Sequence, residues 1–545
     1  MNTSEHIIQV LKENDIDTFF LVTGGAIVPF INYIDSAYYC FQHEQSAAMA
    51  AEGYFRATGK IACVCVTSGP GVQNILNGLC GCWYDSVPAL FITGNTNTSE
   101  SLDTIESKPR QYGFQEMPVV ESFSHFTKFS KRITSCDQVD YVLYDCLNVL
   151  KTQRYGPCLV DIPVNIQMTN WDYKSVRVVN ATPLPTRSTF NTFPDSKRPL
   201  LVVGAGVRHS NSYSECMKFI EDSKLPFVVS WGAFDMCRTD HPLRVGSHGV
   251  YGDRVANFAI QNADLLIIVG SRLDTRQTGK YNLFSKHSKK IMIDIDAEEI
   301  NKLIESGVNI DESCVCDVKS FFAIKCSYDC NEWLEKISGW KSKYSEEPMR
   351  TDVYDYLDKF YDTLPDDCII IPDQGGNLVW TMQTAKLKEG QQLFTNLGNS
   401  SMGFALPCAI GAAIGTNKKI ICIDGDGGFQ MNIQELLTVK KYNLDIDIYI
   451  LNNSGYGIIK QFQDSYFKSN YKATSKNEVF GNTVNFRGIA EAYGVNTLYD
   501  IKIPEEQKIY PKLEYGNSLE NMSPILDVSG DMIVDTPKPV QPGWK

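Results

Sequence analysis

Short apolar runs rich in β-branched residues alternate with helix-like segments along most of this 545-residue chain. One example is IACVCV, which is followed by a TSGPG turn, the helical pattern VQNILNGLCGCWYD and a second run, PALFITG. Further runs of this kind are RPLLVVGAG, LPFVVS, ADLLIIVGS, KIMIDID, CIIIPD, KKIICIDGDG and DIDIYILNN. The alternation predicts an α/β fold of doubly wound parallel sheets, with helices on both faces and ligand-binding turns at the carboxyl ends of the strands.

The chain is too long for a single hydrophobic core, so several domains are expected. The segment 180–199 is rich in Pro, Ser and Thr and lacks periodicity, which is typical of a linker. A second joint lies near 326–352, between two periodic blocks. We therefore predict three α/β domains and a Pro-rich C-terminal tail, at 1–179, 200–345, 346–530 and 531–545.

The net charge of −13 argues against a general binder of nucleic acids or anionic membranes, because no basic excess is present to neutralise phosphates. No apolar run approaches the ~18 residues that a membrane-spanning helix needs. The N-terminal segment lacks the features of a signal peptide. The 17 cysteines include no CxxC pair and no zinc-like spacing, so we expect buried, reduced thiols in a cytoplasmic protein.

A carboxylate between glycines and a pair of asparagines bracket a helix-like segment in GDGGFQMNIQELLTVKKYNLDIDIYILNN. The flanking runs are predicted neighbouring strands of a parallel sheet, so Asp426 and Asn453 should meet at its carboxyl edge. Carboxylate and amide oxygens suit Mg²⁺, and Gly425, Gly427 and Gly428 permit close approach of phosphate oxygens. The pattern indicates a magnesium–diphosphate site, although GDG is also a common turn and NN a common loop.

This spacing resembles the cofactor-binding signature of thiamin diphosphate enzymes. HEQSAAMAAEGYFRATGK resembles the segment that bears the catalytic glutamate in the pyruvate oxidase and acetolactate synthase group, and the resemblance continues over almost the whole chain. It implies a pyrimidine-binding, a middle and a diphosphate-binding domain. It also implies that Asp426, Asn453 and the carbonyl of Gly455 hold Mg²⁺, and that Glu44 shares a proton with the cofactor's pyrimidine ring. Without the resemblance, Glu44 would be interpreted as a charge favoured by a helix dipole.

Two further segments extend the resemblance to the cofactor site. In NSSMGFALPCAIGAAIG, Met402 holds the place of a bulky apolar residue between the cofactor rings, although alone it would be a core methionine. DQGGNLVW stands at the place of a diphosphate-contacting turn, where the family often has Gln-His instead of Gly376 and Asn377. The cofactor-binding residues that the resemblance implies, besides Glu44, are Gly375, Gly376, Asn377, Met402, Gly425, Gly427, Gly428, Asn453, Gly455 and Tyr456.

The family decarboxylates a 2-keto acid, here most simply pyruvate, and its members differ in the fate of the two-carbon unit. Simple decarboxylases often protonate it beside a His-His pair, and no HH occurs in this chain. Carboligases transfer it to a second carbonyl compound. Phe114 and Gln115 resemble the Phe-Gln of acetolactate synthases, where Gln lies near the intermediate, and Lys128 matches a lysine of the same region. The resemblance implies catalytic roles for all three, against the alternatives of a surface amide and a solvated lysine.

The expected pocket for the second carbonyl compound departs from the acetolactate synthase pattern. Phe462 stands where those enzymes usually have tryptophan, and Ser247 where they usually have methionine. Arg272 matches the arginine expected to meet the acceptor carboxylate, in SRLDTR rather than ARFDDR. The two smaller side chains predict an enlarged or reshaped pocket, which would permit a different acceptor such as a nucleotide-linked keto sugar.

The sequence leaves FAD open as a second cofactor. Acetolactate synthases bind it in the middle domain, and VVGAGVRHS offers a GxG, but His209 stands where a dinucleotide fingerprint has its third glycine. An NAD-dependent dehydrogenase is a weaker alternative, because it leaves the GDG–NN pairing unexplained. The resemblance also implies that Glu44 of one subunit meets Asp426 of another, so we expect an obligate dimer or a tetramer of dimers.

Overall fold

The computed structural model describes residues 1–107, 109–152, 154–173, 193–344, 352–480 and 484–503, residue 511, and two short strands at 524–526 and 532–534. Three parallel sheets, one in each successive part of the chain, organise these residues. This confirms the predicted α/β fold of three doubly wound sheets.

The first sheet of the described chain has six parallel strands, β1 (Thr18–Leu21), β2 (Ala37–Cys40), β3 (Cys63–Val66), β4 (Leu90–Asn95), β5 (Phe129–Arg132) and β6 (Cys158–Pro163). Their order is β2-β1-β3-β4-β6-β5. The helices of this domain are α1 (Thr3–Glu13), α2 (Val28–Ile31), α3 (Glu44–Thr58), α4 (Pro70–Asn74), α5 (Leu76–Tyr84), α6 (Val119–Phe123), α7 (Val139–Lys151) and α8 (Val164–Met168).

The second sheet is likewise parallel and contains, in the described residues, β7 (Pro199–Val203), β8 (Phe227–Val229), β9 (Arg244–Ser247), β10 (Leu265–Val269), β11 (Lys289–Asp294) and β12 (Glu312–Val315). Their order is β12-β11-β10-β7-β8-β9. The helices are α9 (Gly206–His209), α10 (Tyr213–Ser223), α11 (Arg254–Asn262), α12 (Thr275–Thr278), α13 (Ala297–Glu305), α14 (Val318–Phe321) and α15 (Asn331–Tyr344).

The third sheet has the order β14-β13-β15-β16-β17 and consists of β13 (Cys368–Pro372), β14 (Gln392–Leu393), β15 (Lys419–Gly425), β16 (Ile446–Asn452) and β17 (Leu498–Lys502). Its helices are α16 (Asp352–Thr363), α17 (Gly376–Thr384), α18 (Ala405–Gly415), α19 (Asp426–Phe429), α20 (Leu436–Lys441), α21 (Gly457–Tyr466), α22 (Lys476–Val479) and α23 (Phe486–Ala492). Two further strands, β18 (Pro524–Leu526) and β19 (Met532–Val534), form an antiparallel pair.

The end of the predicted linker belongs to the middle domain. Phe193 packs against Phe219 and Phe321, and β7 already begins at Pro199. The linker residues up to 192 lie outside the described residues, as does most of the predicted tail at 531–545. The remaining domain boundaries stay a prediction.

Helices α3 and α18 hold the first domain against the third. Both are rich in alanine and glycine, and their facing residues share one hydrophobic core. An ideal Cβ at Gly53 would lie 2.1 Å from the carbonyl oxygen of Cys408, and one at Gly411 would lie 1.9 Å from that of Ala50. The small residues therefore allow a backbone-to-backbone approach, which fixes the start of α3, with Glu44, relative to the third sheet. No helix in the described part of the chain is long and apolar enough to cross a membrane.

Candidate active site

Asp426 lies at the carboxyl edge of the third sheet, directly after β15. The neighbouring strand β16 ends at the same edge, and the turn after it returns to this carboxylate. Asp426 is 3% exposed, its Oδ1 accepts a hydrogen bond from the amide of Gly427 at 3.0 Å, and its Oδ2 accepts one from the amide of Gly455 at 2.9 Å. The side chain of Asn453 lies against Gly457, where an ideal Cβ would be 2.3 Å from Asn453 Nδ2. The structure joins Asp426 to the Gly455 turn, and a metal-binding role of these residues stays a prediction.

Burial dominates the electrostatics of Asp426. It raises the pKa of this carboxyl to about 7, and amide donors such as Gly455 and Gly427 offset only part of that rise. A cation bound here would favour the ionised form, and a buried carboxylate beside open backbone fits Mg²⁺, which prefers oxygen ligands. In the part of the chain that the structure describes, no three His, Cys, Asp or Glu side chains form a metal-binding group. Further ligands here would be amide, carbonyl or phosphate oxygens.

The side chains of Tyr456 and Met402 lie against the glycine turn after β15. An ideal Cβ at Gly427 would lie 2.4 Å from Tyr456 Cε1 and 3.4 Å from Met402 Cε, so a side chain at this position would collide with the tyrosine ring. A Cβ at Gly425 would lie 3.1 Å from Asn377 Nδ2. The structure therefore gathers residues from three separate parts of the C-terminal domain around one turn.

The start of α17 offers an open backbone cradle at the same edge. Gly375 precedes the helix with φ +96°, and its ideal Cβ meets nothing within 4 Å, whereas one at Gly376 would lie 3.3 Å from the Trp380 ring. Asn377 is 3% exposed, and its Nδ2 donates to the carbonyl of Gln374 at 2.9 Å. Its Oδ1 is buried and has no hydrogen-bond partner among the described residues. The free backbone amides at this helix N-terminus fit the diphosphate of thiamin diphosphate, whereas the unpartnered Asn377 oxygen is an acceptor and would need a donor instead.

A buried pair of carboxyl groups lies beneath the turn, and the sequence reasoning missed it. An ideal Cβ at Gly428 would lie 2.1 Å from Asp373 Oδ2 and 2.5 Å from Asp424 Oδ1. Asp373 accepts hydrogen bonds from the amides of Gly403 and Ala405, each at 3.0 Å, and so fixes the turn before α18. Burial raises the pKa of both carboxyls, and the proximity of Asp373 raises that of Asp424 further. The signal was an aspartate at the end of each of two buried strands, in CIIIPD and IICIDGD.

Glu44 opens α3, whose N-terminus is capped by His43 through a hydrogen bond from the Gln45 amide to Nδ1 at 3.1 Å. Its Oε2 accepts a hydrogen bond from Asn74 Nδ2 at 2.9 Å, and its Oε1 is 3.4 Å from an ideal Cβ at Gly71. The SGPG turn and the end of α4 thus hold this carboxylate. Asn74 is another residue that sequence reasoning missed, although it stands in the SGPGVQN segment that carried the resemblance.

Gln115 lies at the same SGPG turn. An ideal Cβ at Gly69 would be 3.0 Å from both the Cβ and the carbonyl oxygen of Gln115. Gln115 itself has φ +57°, a left-handed conformation that is rare for a non-glycine residue. Its neighbour Phe114 is 83% exposed, which is unusual for a large apolar side chain. The structure therefore places Gln115 and Glu44 on one rim of the N-terminal domain, with Phe114 projecting from it.

Lys128 has a structural partner. Its Nζ donates to the carbonyl of Val149 at 2.9 Å and also to the carbonyl of Thr152, so it caps the C-terminal end of α7. Partial burial lowers the pKa of this amine. The structure gives no contact of Lys128 with Gln115 or Glu44 in its described part, and the catalytic role implied by the resemblance stays a prediction.

The three predicted acceptor-pocket residues lie in different surroundings. Ser247 is buried, and its amide and hydroxyl both donate to Asp253 Oδ2, at 2.6 and 3.4 Å. Arg272 Nη1 donates to the carbonyl of Tyr84 at 2.6 Å. Phe462 packs against the Tyr466 ring at 4.7 Å. No hydrogen bond, ion pair or ring contact joins the three among the described residues, so a shared pocket stays a prediction.

A cavity of about 380 Å³ lies at the carboxyl edge of the middle sheet. The turns that follow β7 to β12 line it, and both other domains contribute, with Arg56, Asp85 and Arg154 from the first and Leu397 and Gly398 from the third. In the strand order, the chain continues from β7 to one side of the sheet and from β10 to the other. The cavity lies beside this topological switch point between β7 and β10. In doubly wound sheets, dinucleotides bind in the crevice at such a switch.

Residues of this cavity fit an adenine dinucleotide such as FAD. An ideal Cβ at Gly204 would lie 2.1 Å from the carbonyl oxygen of Gly270, so glycine lets these two strand ends meet. Burial raises the pKa of Asp294, at the end of β11, to about 6, and an acid at a strand end is suited to ribose hydroxyls. The indole N–H of Trp231 is buried without a partner among the described residues. Burial, together with nearby arginines, lowers the pKa of His209 to about 3, so this imidazole is neutral.

Comparisons with known proteins agree with this architecture. Models of the N-terminal thiamine pyrophosphate-binding domain, the central domain and the C-terminal thiamine pyrophosphate-binding domain of thiamine pyrophosphate enzymes match residues 1–122, 189–323 and 373–518. The large subunit of acetolactate synthase isozyme 2 from Escherichia coli is 31% identical over 508 residues, which cover 91% of this chain and 90% of that protein. The acetolactate synthase large subunit of Lactococcus lactis is 30% identical over 514 residues, covering 90% and 87%. Chloroplastic acetolactate synthase 2 of Nicotiana tabacum is 29% identical over 581 aligned positions, gaps included, which cover 95% of this chain and 84% of that protein.

The chain therefore belongs to the thiamin diphosphate-dependent enzymes related to acetolactate synthase. The predicted family, the fold and the presence of domains that bind thiamin diphosphate are confirmed. The roles of individual site residues, the metal, the second substrate and the assembly stay predictions.

Proposed function

We propose that this enzyme decarboxylates a 2-keto acid, with pyruvate as the first candidate, and transfers the two-carbon unit to a second carbonyl compound. The observation that carries the proposal is the hydrogen bond between Asp426 and the Gly455 amide. It lies near Met402 and Tyr456 and next to the open backbone at the start of α17. In our proposal, the oxygen atoms of Asp426 and Gly455 hold a metal ion, and the open backbone at Gly375 receives a phosphate group. The similarity to three acetolactate synthases favours carboligation over simple decarboxylation, which is kept as the alternative.

Thiamin diphosphate, when bound, supplies the nucleophilic carbon and the electron sink that decarboxylation requires. In our proposal, Asp426, Asn453 and the Gly455 carbonyl hold Mg²⁺. The backbone of the two glycine turns contacts the diphosphate, namely Gly375, Gly376, Asn377, Gly425, Gly427 and Gly428, with Tyr456 beside them. Met402 supports the cofactor rings, and Glu44, oriented by Asn74, holds the proton at the pyrimidine nitrogen.

We further infer that two copies of the chain complete each site. The hydrogen bond to the Glu44 carboxylate comes from Asn74 of its own domain, and the large apolar side chains Leu76, Tyr112 and Phe114 are exposed on or near the same rim. A second subunit would cover them, as a dimer or as part of a tetramer. Mixing the inactive variants Glu44→Ala and Asp426→Ala tests this, because a mixed dimer retains one intact site. Activity should return to about a quarter of the wild-type value after subunit exchange, whereas sites formed within one chain give no recovery.

The side chains of the predicted acceptor pocket bear on the identity of the second substrate. Phe462 and Ser247 replace larger residues of acetolactate synthases, which supports a two-carbon transfer to a nucleotide-linked keto sugar as a second candidate. Mass spectrometry of products from pyruvate, thiamin diphosphate and Mg²⁺, with and without such sugars, separates the candidates. Rapid acetolactate formation from pyruvate alone supports the synthase, and a two-carbon mass gain on the sugar supports the alternative. Formation of acetaldehyde alone would refute carboligation.

FAD is proposed as a resident of the middle-domain cavity, where Asp294 would hold its ribose and the turns after β7 and β10 its diphosphate. The support comes from the cavity's place at the strand switch and from the orphaned Trp231 N–H. We expect the purified protein to show flavin absorbance and the variant Asp294→Ala to lose it. A colourless protein that does not quench added FAD fluorescence would refute this part.

A further inference from the structure

One carboxylate, that of Glu116, ties together the two ends of segment 101–113, which is described except for residue 108. Its Oε1 accepts hydrogen bonds from Ser101 Oγ at 3.0 Å and from the amide of Leu102 at 2.7 Å. Its Oε2 accepts from the amides of Gly113 at 3.1 Å and Tyr112 at 3.3 Å. Four donors from two stretches ten residues apart therefore converge on a single side chain. We call this set of contacts the Glu116 clamp.

The clamp is anchored to the sheet. Arg132 Nη1 donates to Ser101 Oγ at 2.9 Å, and Arg132 Nε lies 3.6 Å from Asp161 Oδ2. Asp161 is buried on β6 and accepts a hydrogen bond from Asn95 Nδ2 at 2.8 Å. Asn95 Nδ2 also donates to the carbonyl of Met117 at 3.3 Å, on the far side of the clamp. The segment is thus fastened to the carboxyl edge of β4 and to β6 from both sides.

Gln115, the residue before Glu116, needs such support. Its φ of +57° is unfavourable for a residue with a Cβ, and it presses against the Gly69 turn. Gly113 has no room for a side chain either, since an ideal Cβ would lie 2.6 Å from the carbonyl oxygen of Glu100. Local backbone preference therefore does not place Gln115, and the contacts of the neighbouring residues do.

Glu116 is not poised to exchange protons itself. Partial burial raises its pKa, but hydrogen bonds led by the amides of Leu102 and Gly113 outweigh burial, and the pKa of Glu116 is held below its ordinary value. A carboxylate that stays ionised and has four donors on its two oxygens acts as a fixed acceptor.

We propose that Glu116 is a positioning residue, which holds Gln115 and Phe114 in place for the second carbonyl substrate. The inference rests on the proposed carboligation. In this proposal, the clamp favours transfer of the two-carbon unit to the second carbonyl compound over its release as an aldehyde. Decarboxylation, which takes place before the second substrate is used, should depend on the clamp much less.

Trypsin gives a test that needs no catalysis. Within the segment, the bond after Arg110 is the one trypsin can cut, because Lys108 is followed by Pro109. Glu116→Gln keeps the size of the side chain but replaces one acceptor oxygen by an NH₂ group, so at least one pair of bonds is lost. Loss of charge-assisted hydrogen bonds should speed cleavage after Arg110 by about tenfold. Glu106→Gln is the matched control, because Glu106 is an exposed glutamate of the same segment. Equal cleavage rates in the two variants would overturn the clamp.

The positioning role is tested by product partition and by non-additivity. We expect Glu116→Gln to raise the KM for the second carbonyl compound and to lower the ligated fraction of product by about tenfold, with a smaller effect on CO₂ release. Gln115→Ala should lower the ligated fraction to a similar level, and the double variant should lose no more than either single one. Equal loss of CO₂ release and ligation in Glu116→Gln, or additive losses, would overturn positioning. A wild-type enzyme that releases no CO₂ from any 2-keto acid would instead refute the proposed function, while trypsin still decides the clamp.

Discussion

Replacing Gly411 by alanine should push helices α3 and α18 apart. The new Cβ would lie 1.9 Å from the carbonyl oxygen of Ala50, whereas ordinary contacts begin at 3.4 Å, so the two backbones must separate by about 1.5 Å at this point. Neither partner is a flexible side chain, so the strain should reach the upper end of overpacking costs, about 3 kcal/mol. Alanine recovers about 1 kcal/mol through its helix propensity. The expected net loss is about 2 kcal/mol.

Gly339→Ala is the matched control. Gly339 is also helical, on α15, but its ideal Cβ meets nothing within 4 Å. This change should stabilise the domain by about 1 kcal/mol and raise the melting temperature by about 2–4 °C, whereas Gly411→Ala should lower it by about 4–8 °C. Differential scanning calorimetry at equal protein and cofactor concentrations measures both. If Gly411→Ala melts at or above the wild-type temperature, the close helix contact is wrong, and with it the packing that places Glu44 against the third domain.

Three further changes test single residues of the candidate site. Glu44→Gln should lower activity by about 10²–10⁴-fold with thiamin diphosphate still bound, measured by CO₂ release and cofactor titration, and a loss below tenfold would remove Glu44 from the proposed chemistry. Lys128→Met should cost about 1–3 kcal/mol of stability, because two carbonyls at the end of α7 lose their donor. A large loss of turnover at unchanged stability would instead give Lys128 a catalytic role. Asp161→Asn should flatten the pH dependence of stability, as burial raises the pKa of Asp161 from 3.8 to about 6. That contribution is complete below ~pH 4 and is lost as the pH rises through about 6, a change of about 3 kcal/mol, so an unchanged urea-unfolding profile between pH 4 and 7 would contradict it.

The sequence predicted the three sheets because hydrophobic periodicity reports directly which segments are buried on both faces. It also placed Asp426 and the turn after β16 at one edge, since neighbouring parallel strands end at the same side of a sheet. Periodicity does not report which turn a side chain faces. The hydroxyl of Ser247 turns to Asp253 within its own loop, and Lys128 reaches the end of α7, 21 residues away. Both outcomes depend on local loop geometry and on contacts between distant segments.

The carboxylates that escaped prediction are held mainly by backbone amides, and several of these donors lie far away in sequence. Asp373 reaches the amides of Gly403 and Ala405, 30 and 32 positions on, and Glu116 gathers donors from both ends of a preceding segment. A carboxylate buried in this way must find donors, because an unpaired buried charge is far more costly than a lost surface contact. Such groups therefore mark where the chain has to be held in one conformation. Asp373 accepts from the amide of Gly403, the residue after Met402, and Glu116 follows Gln115 in the chain. In our proposal these are the two residues that meet the cofactor and the second substrate, so the two carboxylates would fix their positions.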